Sequence, residues 1–392
     1  MIFTGPHGPT PVPDVAFTSF VLGDAGRHAD RVALVDVAGE VAFTYGELVA
    51  GVGRVAGALR ARGFGRGDVL ALLAPNLPQF PVVFHAAASL GGTVVVLNPL
   101  DTTADLLAHL GGAGAVLLVT TEEQALARAA ELVAGTKVRE VVVFGHAPGS
   151  TPFAELLADD GAAGGASGSG AGPVPVVVDA GSDVVALLHS SGSTGRPKGV
   201  MLTHRNMSAN VLQTNGGAPL EEGERVLAVA PFHHAFGLIM VLSASLRQGA
   251  TVVTMPRFDP QGYLQAIQDH RITRLYVVPT IAVLLARSPL VEAYDLSSVR
   301  TVISGGAALD PQIARLCEER LGCRVAQGYG LTEGLVSFMQ VEGSPAGSVG
   351  RATTNIEFKI VDTATGRALG PGLEGEVLVR GPHVMKGYLD AP

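Results

Sequence analysis

Ser190-Ser191-Gly192-Ser193-Thr194-Gly195-Arg196-Pro197-Lys198-Gly199 packs three glycines, four hydroxyls and one lysine into ten residues. The stretch follows the apolar run Val184-Val185-Ala186-Leu187-Leu188. A strand opening into such a loop offers free backbone N–H groups, hydroxyl donors and a cation, which together suit a polyphosphate. Glycine lets the backbone close around the ligand, and Lys198 puts charge where phosphate charge accumulates. It is not a Walker loop, since Pro197 precedes the lysine and Gly199 follows it. A flexible Gly/Ser linker would not carry Arg-Pro-Lys-Gly and then re-enter the apolar Val200-Met201-Leu202.

Three later segments stand in a fixed order behind this loop: Ser304-Gly305-Gly306-Ala307-Ala308-Leu309, Gln327-Gly328-Tyr329-Gly330-Leu331-Thr332-Glu333, and Gly375-Glu376-Val377-Leu378-Val379-Arg380-Gly381 with Met385-Lys386-Gly387-Tyr388. With the loop, they resemble the signature motifs of the adenylate-forming superfamily of acyl- and aryl-CoA ligases, luciferases and adenylation domains. Every position of that family's loop, Ser/Thr-Ser/Thr-Gly-Thr/Ser-Thr-Gly-x-Pro-Lys-Gly, is met here. The resemblance covers nearly the whole chain. It implies an α/β fold of two stacked mixed or parallel β-sheets flanked by helices, with a small β-barrel-like subdomain.

It also implies roles. Ser190, Ser191, Gly192, Ser193, Thr194, Gly195 and Lys198 would hold the phosphates of ATP. Glu333, with Thr194, would bind Mg2+, a hard cation that seeks oxygen ligands and substrate phosphates. Thr332 would donate to the α-phosphate and the acid, although Thr332-Glu333 also fits a helix N-cap. Tyr329 would stack on adenine beside Gly305, Gly306, Ala307, Gln327 and Gly328; a tyrosine between glycines also fits a turn with its ring in the core. His234 would lie beside the substrate carboxylate and guard the route of the incoming thiol. Phe236, Gly237 and Met240 would line the acyl pocket from one helix face, closed by Gly306, Gly328, Gly330 and Met339. Arg257 matches a position near the CoA phosphates, and a solvated arginine fits it equally. His85 and His109 read as core or surface residues.

The elements that must position these residues alternate between strand and helix. Val32–Val35 and Val41–Phe43 read as a hairpin around Gly39, after which Thr44 and Glu47 make a capping box for a helix reaching Arg62. Val/Leu runs at 69–73, 93–97, 115–119 and 138–144, and further strands near 184–188, 226–229, 250–254, 274–278, 299–303 and 323–326, predict parallel sheet buried on both faces. Residues 159–175 are Gly/Ala/Ser-rich and read as a linker. This divides the chain into a first α/β subdomain (1–158), a second carrying the nucleotide and acyl site (176–346) and a small β subdomain (347–392).

With 392 residues and 47% apolar composition, the chain can bury a large core. A net charge of −8 argues against a nucleic-acid surface. Cys317 and Cys323 are the only cysteines, which points to a reduced, cytoplasmic protein with neither disulfides nor zinc. The apolar stretch 226–244 is broken by Pro231 and His233-His234, so it reads as strand and helix rather than a membrane span.

The resemblance further implies ATP-dependent activation of a carboxylic acid to acyl-AMP, then thioester formation with CoA. No aspartate stands between Pro231 and Leu246 to bind an α-ammonium, so an acid without an α-amino group is expected. Pro279-Thr280, the 294–300 segment and Gly387-Tyr388-Leu389 look most like bacterial 4-coumarate–CoA ligase relatives, which favours a flat aryl acid. A medium-chain fatty acid, a module loading a carrier protein or an amine, and a non-catalytic binding module are the alternatives. The chain stops at Pro392, before the family's ribose-binding aspartate and small C-terminal domain. It therefore reads as the large domain, poorly active by itself.

Overall fold

The computed structural model describes residues 1–6, 8–158, 176–190, 198–217 and 219–389. Thr44 and Glu47 form the capping box their spacing predicts. The Thr44 hydroxyl accepts the Glu47 N–H at 3.1 Å, and the Glu47 carboxylate accepts the Thr44 N–H at 2.7 Å. The helix they open runs Tyr45–Ala61, behind an antiparallel hairpin of Val32–Asp36 and Ala42–Thr44. Val69–Leu73 and Thr93–Leu97 are strands at the residues their composition predicts. The next two begin two residues later than their apolar runs, at Leu117–Thr121 and Glu140–Phe144.

Two mixed sheets carry the fold. The first has eight strands in the spatial order Gly387–Tyr388, Lys198–Thr203, Val184–Ser190, Thr93–Leu97, Val69–Leu73, Leu117–Thr121, Glu140–Phe144, Thr151–Pro152. Lys198–Thr203 runs antiparallel to both of its neighbours, and the remaining pairs are parallel. The second has nine, ordered Arg351–Ala352, Leu335–Met339, Arg324–Leu331, Thr301–Ser304, Arg274–Val277, Arg225–Ala228, Thr251–Thr254, Val32–Asp36, Ala42–Thr44. Its six central strands are parallel, with antiparallel hairpins on both edges.

Sheet membership cuts across the division placed at 159–175, a segment outside the described residues. Strands at 184–203 complete the first sheet, and the hairpin at 32–44 closes the edge of the second. Crossover connections let the chain return to a sheet it has left, so sequence neighbourhood does not fix sheet membership. The strands after Gly347 also disperse. Arg351–Ala352 extends the second sheet and Gly387–Tyr388 the first. Glu357–Val361 and Glu376–Arg380 join Phe3–Thr4 in a three-stranded antiparallel sheet.

Five layers result. Helices Tyr45–Ala61, Phe80–Ser89 and His204–Gly217 fill the space between the sheets, where Leu48, Val55, Phe84 and Met207 share one core with Leu70, Val94, Val226 and Tyr276. Thr103–Ala113 and Glu122–Ala134 cover the outer face of the first sheet through Leu106, Leu110 and Leu132. Pro260–Asp269, Pro279–Arg287 and Pro311–Leu321 cover the outer face of the second. Cys317 is packed in that outer core, and both cysteines are free thiols. Among the described residues, no helix is long and apolar enough to cross a membrane.

Candidate active site

Parallel strands present ligands at their carboxyl ends, and the chemistry-bearing residues gather there from both sheets. Ser190 ends a strand of the first sheet; Ser304 and Leu331 end strands of the second. The Ser190 hydroxyl donates to Glu333 Oε1 at 2.7 Å, and the Tyr388 hydroxyl donates to the same oxygen at 3.0 Å. Lys198 Nζ lies 5.1 Å from the centroid of the Tyr388 ring. Ser190 and Lys198 are paired across their antiparallel strands, so the two ends of the proposed phosphate loop stand beside Glu333 and Tyr388. Ser191, Gly192, Ser193, Thr194 and Gly195 lie outside the described residues.

Among the described residues, no cluster of three or more His, Cys, Asp or Glu side chains could hold a metal by itself. Both hydroxyls bond Glu333 Oε1, which leaves Oε2 for a cation. That donor set fits Mg2+, which is bound through one or two carboxylates and completed by substrate phosphates and water.

Next to this cluster is a cavity of about 50 Å³, walled by His234, Phe236 and Met240 on one side and by Gly305, Gly306, Gly328, Tyr329 and Gly330 on the other. Phe236 and Met240 come from Phe236–Ser243, which winds as a π-helix rather than an α-helix. Four residues apart, those two side chains share the cavity wall, and Gly237, one residue round the helix, faces the Pro231 backbone instead. A Cβ on Gly237 would collide with the Pro231 carbonyl oxygen, so its glycine serves backbone packing and it does not line the pocket. Met339 is a second correction. It is buried in the central core, where its side chain backs Gly328 from behind, and the cavity wall is instead Leu335 and Val336.

Gln327 departs from its expected role as well. Its side chain accepts the Leu309 N–H at 3.1 Å and donates to the Ser348 carbonyl at 3.0 Å. It holds the end of the Gly305-Gly306-Ala307 loop in place instead of offering groups to a ligand. Ala307 is exposed beside the cavity, Thr332 is buried next to Glu333, and Arg257 is exposed outside the cavity wall. Tyr329 is 38% exposed and packs its ring against Phe338 at 5.9 Å, so its other face is open to a ligand.

His234 stands at the rim. Its Nδ1 accepts the Phe236 N–H at 3.3 Å, which in the neutral ring leaves the proton on Nε2. Solvent reaches one edge of the ring, yet desolvation by the surrounding chain lowers its pKa below the ordinary histidine value. The neighbouring His233 is pushed down to about 4, by burial first and by His234 second. Both rings are therefore neutral at pH 7.

Two buried amides that motif reading passed over hold these parts. Asn76, in the turn after the strand Val69–Leu73, donates to the Ala228 and Ala230 carbonyls at 2.8 and 3.0 Å and accepts the Phe232 N–H at 2.8 Å. It straps the segment leading into His233-His234 to the opposite sheet. Asn210 bonds the Val336 carbonyl at 2.7 Å and its N–H at 3.1 Å, fixing one cavity wall. Leu335 takes a left-handed backbone at φ +44°, a strain of about 1–3 kcal/mol of the kind that collects at functional sites.

The family model described as AMP-binding enzyme matches residues 23–389. The chain is 36% identical over 400 residues to 4-coumarate–CoA ligase 5 of Oryza sativa subsp. japonica, covering 97% of this chain and 72% of that protein. In three dimensions it is similar to a luciferase-like enzyme from the nonluminescent mealworm Zophobas morio, with a TM-score of 0.88 at 24% identity over 99% of this chain and 91% of that one. That likeness is one of fold. ATP-bound MatB from Rhodopseudomonas palustris superposes with a TM-score of 0.83 at 27% identity, covering 96% of this chain and 72% of that one.

Proposed function

Because the chain belongs to the AMP-binding enzyme family, whose members include its 4-coumarate–CoA ligase relatives, we propose that it activates a carboxylic acid with ATP to an acyl-AMP and passes the acyl group to the thiol of CoA. The observation that carries this reading is the joining of two sites: the Ser190–Glu333 contact adjoins an apolar cavity rimmed by His234.

In the activation step the acid's oxygen attacks the α-phosphorus, and the bond from that phosphorus to the pyrophosphate oxygen breaks. Lys198 holds the phosphates and keeps them in line, while Ser190 at the other end of the loop gives its hydroxyl proton to Glu333. Thr332 donates its hydroxyl to the α-phosphate. Glu333, through its free Oε2, would hold Mg2+, which when bound would neutralise phosphate charge as a Lewis acid. The open face of Tyr329 stacks on adenine, and Gly305, Gly306 and Ala307 let the base approach. The neutral His234 ring donates its Nε2 proton to the substrate carboxylate without adding a charge. Arg257, exposed beyond the cavity, receives the CoA phosphates.

The pocket favours a flat aryl acid. Its walls are apolar, and the helix Phe236–Ser243 carries no carboxylate to meet an α-ammonium. At about 50 Å³ the cavity is well below the roughly 150 Å³ that takes a benzene ring in a dry protein core. A ring therefore enters as Phe236 turns away from Gly305. A Cβ on Gly305 would sit 3.2 Å from the Phe236 ring and fill part of the space which that turn opens for the substrate ring. Gly305→Ala should weaken binding of a cinnamoyl-adenylate analogue about tenfold, the low end of the 1–3 kcal/mol of overpacking; equal affinities would refute Phe236 as the moving wall.

Thermal stabilisation by non-hydrolysable cinnamoyl, benzoyl, octanoyl and aminoacyl adenylates tests the whole reading. A ligand at 100 times its Kd stabilises the folded chain by about 2.7 kcal/mol. The aryl compounds should raise the melting temperature most. Stabilisation by the aminoacyl compound alone, or by none of them, would overturn the assignment.

A further inference from the structure

We propose that Tyr388 is a positioning residue for the metal-binding carboxylate: with Ser190 it pins Glu333 Oε1, so that Oε2 alone is presented to Mg2+. The inference rests on the phosphate-site reading above. A glutamate on a turn has three rotatable side-chain bonds, and fixing one sacrifices up to about 2 kcal/mol of rotamer freedom. Two hydroxyls donating to one oxygen hold the carboxylate in a single orientation before any ligand arrives. Supporting groups of this kind orient a ligating side chain and tune what it binds.

The backbone around Tyr388 is built to hold it there. Gly387–Tyr388 pairs antiparallel with Lys198–Thr203, setting Tyr388 opposite Val200. The Leu389 N–H donates to the Gly199 carbonyl at 2.8 Å and the Lys386 N–H to the Met201 carbonyl at 2.9 Å. One residue further back, the Met385 N–H donates to the Glu333 carbonyl at 2.8 Å. Lys386 Nζ ties the same strand to the Ser182 carbonyl at 2.8 Å. This strand thus clamps the Glu333 backbone, the Glu333 carboxylate and the strand that leaves the phosphate loop.

The ring has a second effect. Lys198 Nζ rests over its face at 5.1 Å, so the ammonium is kept close to Glu333 while the Tyr388 phenol, not the lysine, takes the carboxylate oxygen. The carboxylate keeps its charge for a metal, and the lysine keeps its charge for phosphate.

Tyr388→Phe separates these effects, because it retains the ring and the strand pairing and removes only the hydroxyl. The measurement is calorimetric titration of ATP into the chain, in EDTA and across a series of Mg2+ concentrations, repeated with Mn2+ and read by its electron spin resonance. We expect the variant to bind ATP as the parent does in EDTA. It should need about 10–100-fold more Mg2+ for the metal-dependent gain in affinity, the usual loss on removing a supporting group. Glu333→Gln should abolish that gain. An unchanged or lowered Mg2+ requirement in Tyr388→Phe, with Glu333→Gln still losing the gain, overturns the role of Tyr388 alone. ATP binding by the parent chain that ignores Mg2+ overturns both this inference and the metal role of Glu333.

Discussion

Arg274→Met should lower the unfolding free energy by about 3–5 kcal/mol, the typical result of stripping one partner from a buried ion pair. Arg274 opens a central strand of the nine-stranded sheet, and its side chain and that of Glu224 are only 5% and 6% exposed. Arg274 Nη2 reaches Glu224 Oε2 at 2.9 Å and also donates to the Pro219 carbonyl at 2.7 Å. Glu224 Oε2 in turn accepts the Glu221 N–H at 2.9 Å. The pair therefore ties the turn before Arg225–Ala228 to the foot of its neighbour strand. Methionine would match the arginine stem in volume but leave the buried Glu224 carboxylate without its ion-pair partner. Arg274→Met/Glu224→Leu should recover most of the loss, since removing both charges leaves none uncompensated. Urea unfolding of the parent, the single and the double variant decides it. A single-variant loss below about 1 kcal/mol would mean that water already screens Glu224 as it does surface pairs.

That pair also shows where sequence reading stops. The two residues are 50 apart in the chain, and neither belongs to a motif. The capping box at Thr44 and Glu47 was legible because it is complete within four residues, and the Val/Leu strands because burial on both faces removes polar alternation. Phe236, Met240, Gly305 and Tyr329, which the family resemblance singles out, all line the cavity, and their roles toward a ligand are those proposed above. Spacing along the chain does not carry side-chain direction. Gly237, next to Phe236 in the motif, stands one step round the helix from the Phe236–Met240 face and packs on Pro231. Met339 and Gln327 were assigned to ligands when their strands turn them toward Gly328 and the 305–309 loop. Asn76 belongs to no motif and Tyr388 only to a matched segment without a role, because their partners lie 152 to 156 and 55 residues away. His85, read as a core or surface residue, is indeed fully buried. Sheet membership was not legible at all, because crossovers erase the relation between chain order and strand order.

Buried neutral histidines should make this fold acid-labile well above the carboxylate range. His85, His204 and His383 are 1%, 0% and 0% exposed. Burial lowers their pKa values to about 3, about 4 and about 4, with Asp183 offsetting part of the effect at His204. Each has a neutral partner: the Thr18 hydroxyl lies 3.2 Å from His85 Nδ1 and the Ser337 hydroxyl 3.1 Å from His383 Nε2. His204 Nδ1 accepts the Phe17 N–H at 3.0 Å. Protonating that nitrogen would break the bond and bury a charge together. The folded values lie below the unfolded value of about 6.5, so the unfolded chain takes up protons first as pH falls. Stability from these groups is full above pH 6.5 and is lost as pH drops toward the folded values. At pH 5 each has lost about 1.5 pH units' worth, or about 2 kcal/mol, at about 1.36 kcal/mol per unit. The three together approach 6 kcal/mol, against about 5–15 kcal/mol for a typical domain. Urea midpoints at pH 7, 6 and 5 should therefore fall steeply below pH 6.5. His204→Asn, whose amide oxygen can still accept the Phe17 N–H, should flatten the slope by nearly one proton's share. Stability that stays level from pH 6.5 to 5 would show that these rings find water or a counter-charge in the folded chain.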